Sequence, residues 1–380
     1  MNGRWPKVLS PGDDYADIDA YLLGKGVRKI FLVHGKSAKN LRVGRYFFGL
    51  PERMGISLRS FTDFCPNPSF ESVVNGVKDF REHGCDMVAA LGGGSAIDVA
   101  KCVKLYADMP DDACALPQKI RPNDIPLLAV PTTAGTGSET TRYAVIYFDG
   151  EKQSISHETC IPEAVCIDPS VLMTLPLYHR ASSMLDALCH AMESWWSVNS
   201  TEESRRYSRD AMRLILACRK EYMQEDSRVF GHMMQAAHLA GKAIDITQTT
   251  AGHAMCYKLT GRYGIAHGHA AALCDAALWP YMMEHLEDCC DVRGKNWLAG
   301  IFGEMAETMG CGDVREAAAV LPKFLKELGM EKPSGTEEDL DFLAASVNPV
   351  RLKNHPVRMS REAFRYLYDE IVWIHRPMEE

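Results

Sequence analysis

The 380-residue sequence lacks any apolar run approaching the roughly 20 residues that cross a bilayer as a helix. A helical membrane protein is therefore not expected. The opening residues Met1-Asn2-Gly3-Arg4-Trp5-Pro6 lack the apolar centre of a secretory leader. No Cys-x-x-Cys pair occurs and the 13 cysteines form an odd set, which argues against a zinc knuckle and against a disulfide framework. Cys166, Cys189, Cys218 and Cys256 fall in apolar contexts, where a reduced thiol packs as a small hydrophobe. A reducing, cytoplasmic compartment is the expectation. No basic stripe interleaved with aromatics is present, and the formal net charge of −8 argues against a nucleic-acid partner. Internal repeats and low-complexity linkers are also missing. What remains, with 24% charged and 46% hydrophobic residues, is an ordinary globular composition.

Its length exceeds what one core usually serves, so two domains are expected. In the first half, Ile30–Val33, Met87–Leu91, Leu127–Val130 and Ala164–Ile167 are short apolar runs ending at Gly, Pro, His or Asp, as buried strands do. Helical stretches lie between them, such as Ser69–His83 with Val73, Val77 and Phe80 on one face. That alternation predicts a mainly parallel sheet covered by helices. Asp149-Gly150 between two alternating runs predicts a hairpin. After Leu175-Pro176 the pattern turns helical throughout. Ser200-Thr201-Glu202-Glu203 reads as a capping box with Ser200 at the cap, and Pro322 as a break within 317–328. The fold class is thus an α/β domain over 1–178 and an all-α domain over 179–380. A cleft between two such domains is where cofactor and substrate are expected.

Two loops at strand ends stand out. Gly92-Gly93-Gly94-Ser95 follows one predicted strand and opens a helix containing Asp98 and Lys101. Glycines admit a diphosphate to the backbone, and the helix N-terminus supplies free N–H groups. A plain strand-to-helix turn would look similar, and the Gly-x-Gly-x-x-Gly fingerprint is absent. The second loop, Pro131-Thr132-Thr133-Ala134-Gly135-Thr136-Gly137-Ser138, is rich in hydroxyls and follows another strand. Two such loops at carboxyl ends of strands favour a dinucleotide site.

In the helical half, Asp186 and His190 stand four apart on one helix face, and His253 and His267 follow in small-residue contexts. Each could be a structural hydrogen-bonding residue. Together, one carboxylate and three imidazoles suit a divalent first-row metal with room for a substrate oxygen.

Taken together, these motifs resemble the group III iron-dependent alcohol dehydrogenase family, whose fold is dehydroquinate synthase-like. The segments carrying the resemblance are Pro66-Asn67-Pro68, Gly92–Lys101, Pro131–Glu139, Ile167-Asp168-Pro169, Asp186–Glu193 and His253 to His269. The resemblance implies that Asp186, His190, His253 and His267 hold Fe²⁺, with Zn²⁺ as the alternative ion. It implies that Gly93, Gly94, Ser95, Asp98, Thr132, Thr133, Thr136 and Ser138 meet NADH or NADPH, with Gly35, Lys36, Asn67 and Lys152 nearby. It also implies a homodimer. Members restricted to NAD often carry Asp where this chain has Gly35, so NADPH stays open. Where many members have a histidine four residues after the third metal ligand, this chain has Tyr257.

The runs Ala251–Thr260 and Gly264–His269 are similar to the phosphonoacetaldehyde reductase branch. That similarity implies a small aldehyde with an anionic group, converted to 2-hydroxyethylphosphonate in the phosphonate case. Arg142, Lys258 and Arg262 are then the candidate anchors, and Tyr257 or His269 the candidate proton relay. An uncharged alcohol or diol, a polyol phosphate, or dehydroquinate synthase-like chemistry are the alternatives.

Overall fold

The structure is a computed structural model and describes residues 4–109 and 120–374. The chain divides into two compact units: Met1–Leu175 with Glu225–Met234, and Pro176–Gln224 with Gln235–Glu380. Among the described residues no helix is long and apolar enough to cross a membrane.

The first unit is built on strands β1 (Lys7–Leu9), β2 (Lys29–His34), β3 (Ser57–Phe61), β4 (Met87–Gly92) and β5 (Leu127–Pro131), the hairpin strands β6 (Tyr143–Phe148) and β7 (Glu151–Ser156), and β8 (Ala164–Cys166). Six of them form one sheet in the order β1-β8-β5-β4-β2-β3, with every pairing parallel. The central strands β4 and β5 are buried at every position, as a sheet covered on both faces requires. β6 and β7 pair antiparallel, turning through Asp149 and Gly150 at positive φ. The edge strands β1 and β3 carry no continuous apolar run and were not expected from the sequence. Helix Phe70–Glu82 starts at Ser69, whose hydroxyl accepts from the Ser72 N–H, and turns Val73, Val77 and Phe80 inward.

The second unit is helical apart from one correction. Two-residue strands β9 (Ser334–Gly335) and β10 (Trp373–Ile374) pair in parallel. The capping box also moves by one residue from Ser200 to Thr201, which pairs reciprocally with Ser204. Ser200 is committed elsewhere, because its hydroxyl accepts from Arg293 Nη1 at 3.1 Å. The expected break near Pro322 falls at Ala319, between helices Val314–Ala318 and Val320–Glu327. The twelve described cysteines are free thiols.

Candidate active site

In the first unit, β4 delivers the glycine turn and Gly94 opens helix Gly94–Tyr106. The threonine loop lies against that turn, and the Thr132 N–H donates to the Gly92 carbonyl at 3.0 Å. Thr132, Thr133 and Thr136 are half-buried with Ser95, as groups lining a ligand surface would be, whereas Ser138 is buried. Asp98 has an internal role. Its carboxylate accepts from Ser138 Oγ at 2.7 Å and from the Val145 N–H at 3.1 Å. Burial pushes its pKa up, against the pull of Lys101.

Lys101 is fully enclosed. Its Nζ donates to the carbonyls of Thr141 (2.8 Å) and Tyr143 (2.6 Å) and to Ser138 Oγ (3.1 Å). This pair ties the hydroxyl-rich loop to the helix that the glycines open. Gly35 follows β2, and a Cβ built on it would meet nothing within 4 Å. Lys36 and Asn67 are exposed and Lys152 is half-buried. Arg142 pairs with Glu158 at 3.6 Å.

In the second unit, three helices converge. Leu177–Trp196 carries Asp186, His190 and Glu193, spaced to share one face. His253 sits in the first turn of Ala251–Tyr263, and His267 begins His267–Glu284. The last helix approaches closely only because residue 268 is glycine. A Cβ there would lie 2.0 Å from the Ser182 carbonyl oxygen and 2.7 Å from Asp186 Cβ.

Asp186 Oδ1 consequently stands 3.5 Å from His253 Nε2 and 3.8 Å from His267 Nε2. The donor atoms of these three residues all lie within 4.8 Å of one another. His190 stands beside them, its ring stacked on His253 at 4.5 Å and its Nδ1 4.0 Å from Asp186 Oδ2. Divalent first-row ions bind such donors at about 2.0–2.2 Å, so donors sharing one ion stand roughly 3–4 Å apart. Among the described residues the buried atoms Asp186 Oδ1 and His253 Nε2 find no hydrogen-bond partner, as expected of atoms reserved for an ion. The residues present therefore fit a metal.

The electrostatics agree. Burial alone would raise the Asp186 pKa, but His190, His253 and His267 pull it below the usual carboxylate range. Burial alone would lower that of His253, yet Glu193 and Asp186 on either side raise it to about 10. This is a place that favours positive charge.

Glu193 is a residue of this cluster that sequence reasoning passed over, although its spacing from Asp186 and His190 was a usable signal. It is fully buried. It accepts from His253 Nδ1, from the Thr250 N–H, from Thr250 Oγ1 at 2.7 Å and from the His253 N–H at 3.0 Å. It thereby fixes which ring nitrogen of His253 faces Asp186.

Tyr257 stacks on His267, with ring centres 5.5 Å apart. His269 is buried, its N–H donates to Ser182 Oγ at 3.1 Å, and its Nδ1 lies 3.1 Å from Tyr178 Oη. Lys258 is half-buried on the helix that presents His253. Arg262 is already engaged. Its guanidinium pairs with Asp339 and lies over the Phe342 ring at 5.5 Å.

Comparison with known proteins bears on both units. Residues 6–169 match the family model "Iron-containing alcohol dehydrogenase", and residues 180–372 match "Fe-containing alcohol dehydrogenase family, C-terminal". The phosphonoacetaldehyde reductase of Streptomyces viridochromogenes is 32% identical over 317 residues, covering 79% of this chain and 80% of that one. Long-chain-alcohol dehydrogenase 1 of Geobacillus thermodenitrificans is 29% identical, covering 74% and 72%. Among solved structures, sulfoacetaldehyde reductase from Bifidobacterium kashiwanohense in complex with NAD⁺ superposes with a TM-score of 0.83 at 25% identity, covering 96% of each chain.

Proposed function

The chain belongs to the iron-containing alcohol dehydrogenase family, and on that premise we propose that it reduces a small aldehyde bearing a phosphonate or sulfonate group, using NADH or NADPH. The observation that carries the chemistry is the convergence of Asp186, His253 and His267. With His190 they would hold Fe²⁺. The anionic head group is supported by the likeness to a phosphonoacetaldehyde reductase and a sulfoacetaldehyde reductase.

When bound, the metal supplies Lewis acidity at the substrate oxygen and the nicotinamide supplies the hydride. The protein's own residues do the rest. Asp186 brings the negative charge that a buried cation needs, and Glu193 orients His253 through Nδ1. Tyr257 braces His267 by ring stacking. In the reduction a proton would pass inward, from solvent through the hydroxyl of the partly exposed Tyr178 to His269, and on to the alkoxide. Glycines 93 and 94 with Ser95 would hold the diphosphate, beside the threonine loop that Asp98 and Lys101 tie down. Lys258 is the anchor for the anionic group. Arg262, spent on Asp339, is withdrawn from that role.

The engagement of Arg262 also favours a second reading, an uncharged short-chain aldehyde or alcohol as substrate. NADH and NADPH oxidation by iron-reconstituted protein separates the two. Phosphonoacetaldehyde and sulfoacetaldehyde are expected to exceed propanal and butanal in kcat/KM by about tenfold or more, the worth of one charge-assisted hydrogen bond. A preference for the uncharged aldehydes would overturn the anionic-substrate reading and leave the dehydrogenase chemistry standing.

A further inference from the structure

Behind the metal-ligand candidates lies a third carboxylate, one that the mechanism above does not use. Asp275, on helix His267–Glu284, is fully buried. Among the described residues neither of its oxygens meets a nitrogen or oxygen donor in bonding geometry. The weakly polar Cys189 thiol lies alongside. Glu193 presents the opposite picture, with four donors from Thr250 and His253.

The two carboxylates converge on one glycine. A Cβ built on Gly252 would lie 1.9 Å from Asp275 Oδ1 and 2.9 Å from Glu193 Oε1. The bare Cα of residue 252 is what lets both acids occupy one small volume. Two ionised carboxylates cannot share such a volume away from water. One of them must hold a proton. Glu193 has donors on both oxygens and an imidazole against it, so it keeps the charge. For Asp275, burial and the negative Glu193 outweigh what His253 and the Cys189 thiol offer an anion.

We propose that Asp275 is a neutral carboxylic acid that donates its proton to a hydrogen bond with Glu193, and so acts as a positioning residue for His253 and the metal. Burial and the Glu193 charge both push the Asp275 carboxyl well above its ordinary range, in keeping with that assignment. The arrangement forms a line: His253 faces the ion through Nε2 and Glu193 through Nδ1, and Asp275 steadies Glu193 from behind. Outer partners of this kind orient ligands and tune affinity even though they never touch the ion.

The inference rests on the metal-site reading, and the test keeps the two separable. Metal-free full-length protein is titrated with Co²⁺ against a chromophoric chelator, following the visible Co²⁺ spectrum, for wild type, Asp275→Asn and Asp275→Ala. Circular dichroism confirms that each variant is folded. The amide of Asp275→Asn still donates to Glu193, so it should bind Co²⁺ within about 3-fold of wild type, while Asp275→Ala should bind about 10-fold more weakly with an altered spectrum. Infrared spectroscopy at pH 7 should show a protonated-carboxyl band in wild type that Asp275→Asn lacks. Equal Co²⁺ affinity for wild type and Asp275→Ala, or absence of that band, overturns the proposal. Failure of wild type to bind Co²⁺ at all overturns the metal-site reading itself.

Discussion

Replacing His355 with leucine is expected to remove a pH-dependent weakness from the helical unit. His355 is fully buried, and among the described residues neither ring nitrogen has a hydrogen-bond partner. Burial lowers its pKa from 6.5 to about 4, and the nearby Glu193 charge only partly offsets this. Above pH 6.5 the ring is neutral whether the chain is folded or not, so it contributes no pH dependence. Between 6.5 and about 4 the unfolded chain takes up a proton that the folded one refuses. Stability therefore falls as pH falls through that window, and the loss levels off below it. From pH 7 to pH 5 this single site should cost about 2 kcal/mol. Urea unfolding at the two pH values measures it, using the buried Trp195, Trp196 and Trp279 of the same unit as fluorescent reporters. Wild type should lose about 2 kcal/mol more than His355→Leu between the two conditions. At pH 7 the variant should be close to wild type, because the two nitrogens it deletes had no partners to lose. Parallel losses in both proteins would refute the reasoning, since they would mean that the folded state protonates His355 as readily as the unfolded one.

Other outcomes follow from the same geometry. Gly35→Asp places a carboxylate in open space after β2, and should raise KM for NADPH by about tenfold with little change for NADH; equal effects on both cofactors would locate the 2′-phosphate elsewhere. Lys101→Met removes the buried amine that holds the Thr141 and Tyr143 carbonyls, and should weaken NADH binding in a fluorescence titration by about tenfold to a hundredfold. An unchanged dissociation constant would show that the loop holds its shape without that lysine. Gly268→Ala drives a methyl to 2.0 Å from the Ser182 carbonyl oxygen. The helix bearing His267 must then move, and metal content after gel filtration should fall at least about tenfold relative to wild type. Retention of full metal content would mean that the helix pair can separate without disturbing the ligands.

How much of this was readable beforehand depends on how local each cause is. β2, β4 and β5 announced themselves because strands buried on both faces must be continuously apolar. β1 and β3 sit at the sheet edges, where Lys7 and Arg59 are tolerated, and left no such mark. The capping box was off by one because Ser200 and Thr201 offer the same hydroxyl, and the decision came from Arg293, which lies 93 residues away. Asp186 and His190 could be paired from a four-residue spacing, and Glu193 extends the same face. Asp275 and His355 were invisible as neighbours of Glu193. Tertiary packing of segments distant in sequence brings them near, and a lone buried Asp or His in sequence looks like any other.

The charge balance of the cluster gives the strongest argument for its purpose. Asp186 and Glu193 are both buried and both held below their ordinary pKa, so each keeps a negative charge inside the helical unit. Buried charge without compensation is among the costliest features a fold can carry. A proton on His253 cancels one of the two, and no lysine or arginine pairs with either carboxylate among the described ion pairs. A dication at the shared centre of Asp186, His253 and His267 cancels both, with the imidazoles neutral as ligation requires. That balance holds only if Asp275 contributes no third charge. The same arithmetic that calls for a divalent ion in front of His253 therefore calls for a protonated acid behind Glu193.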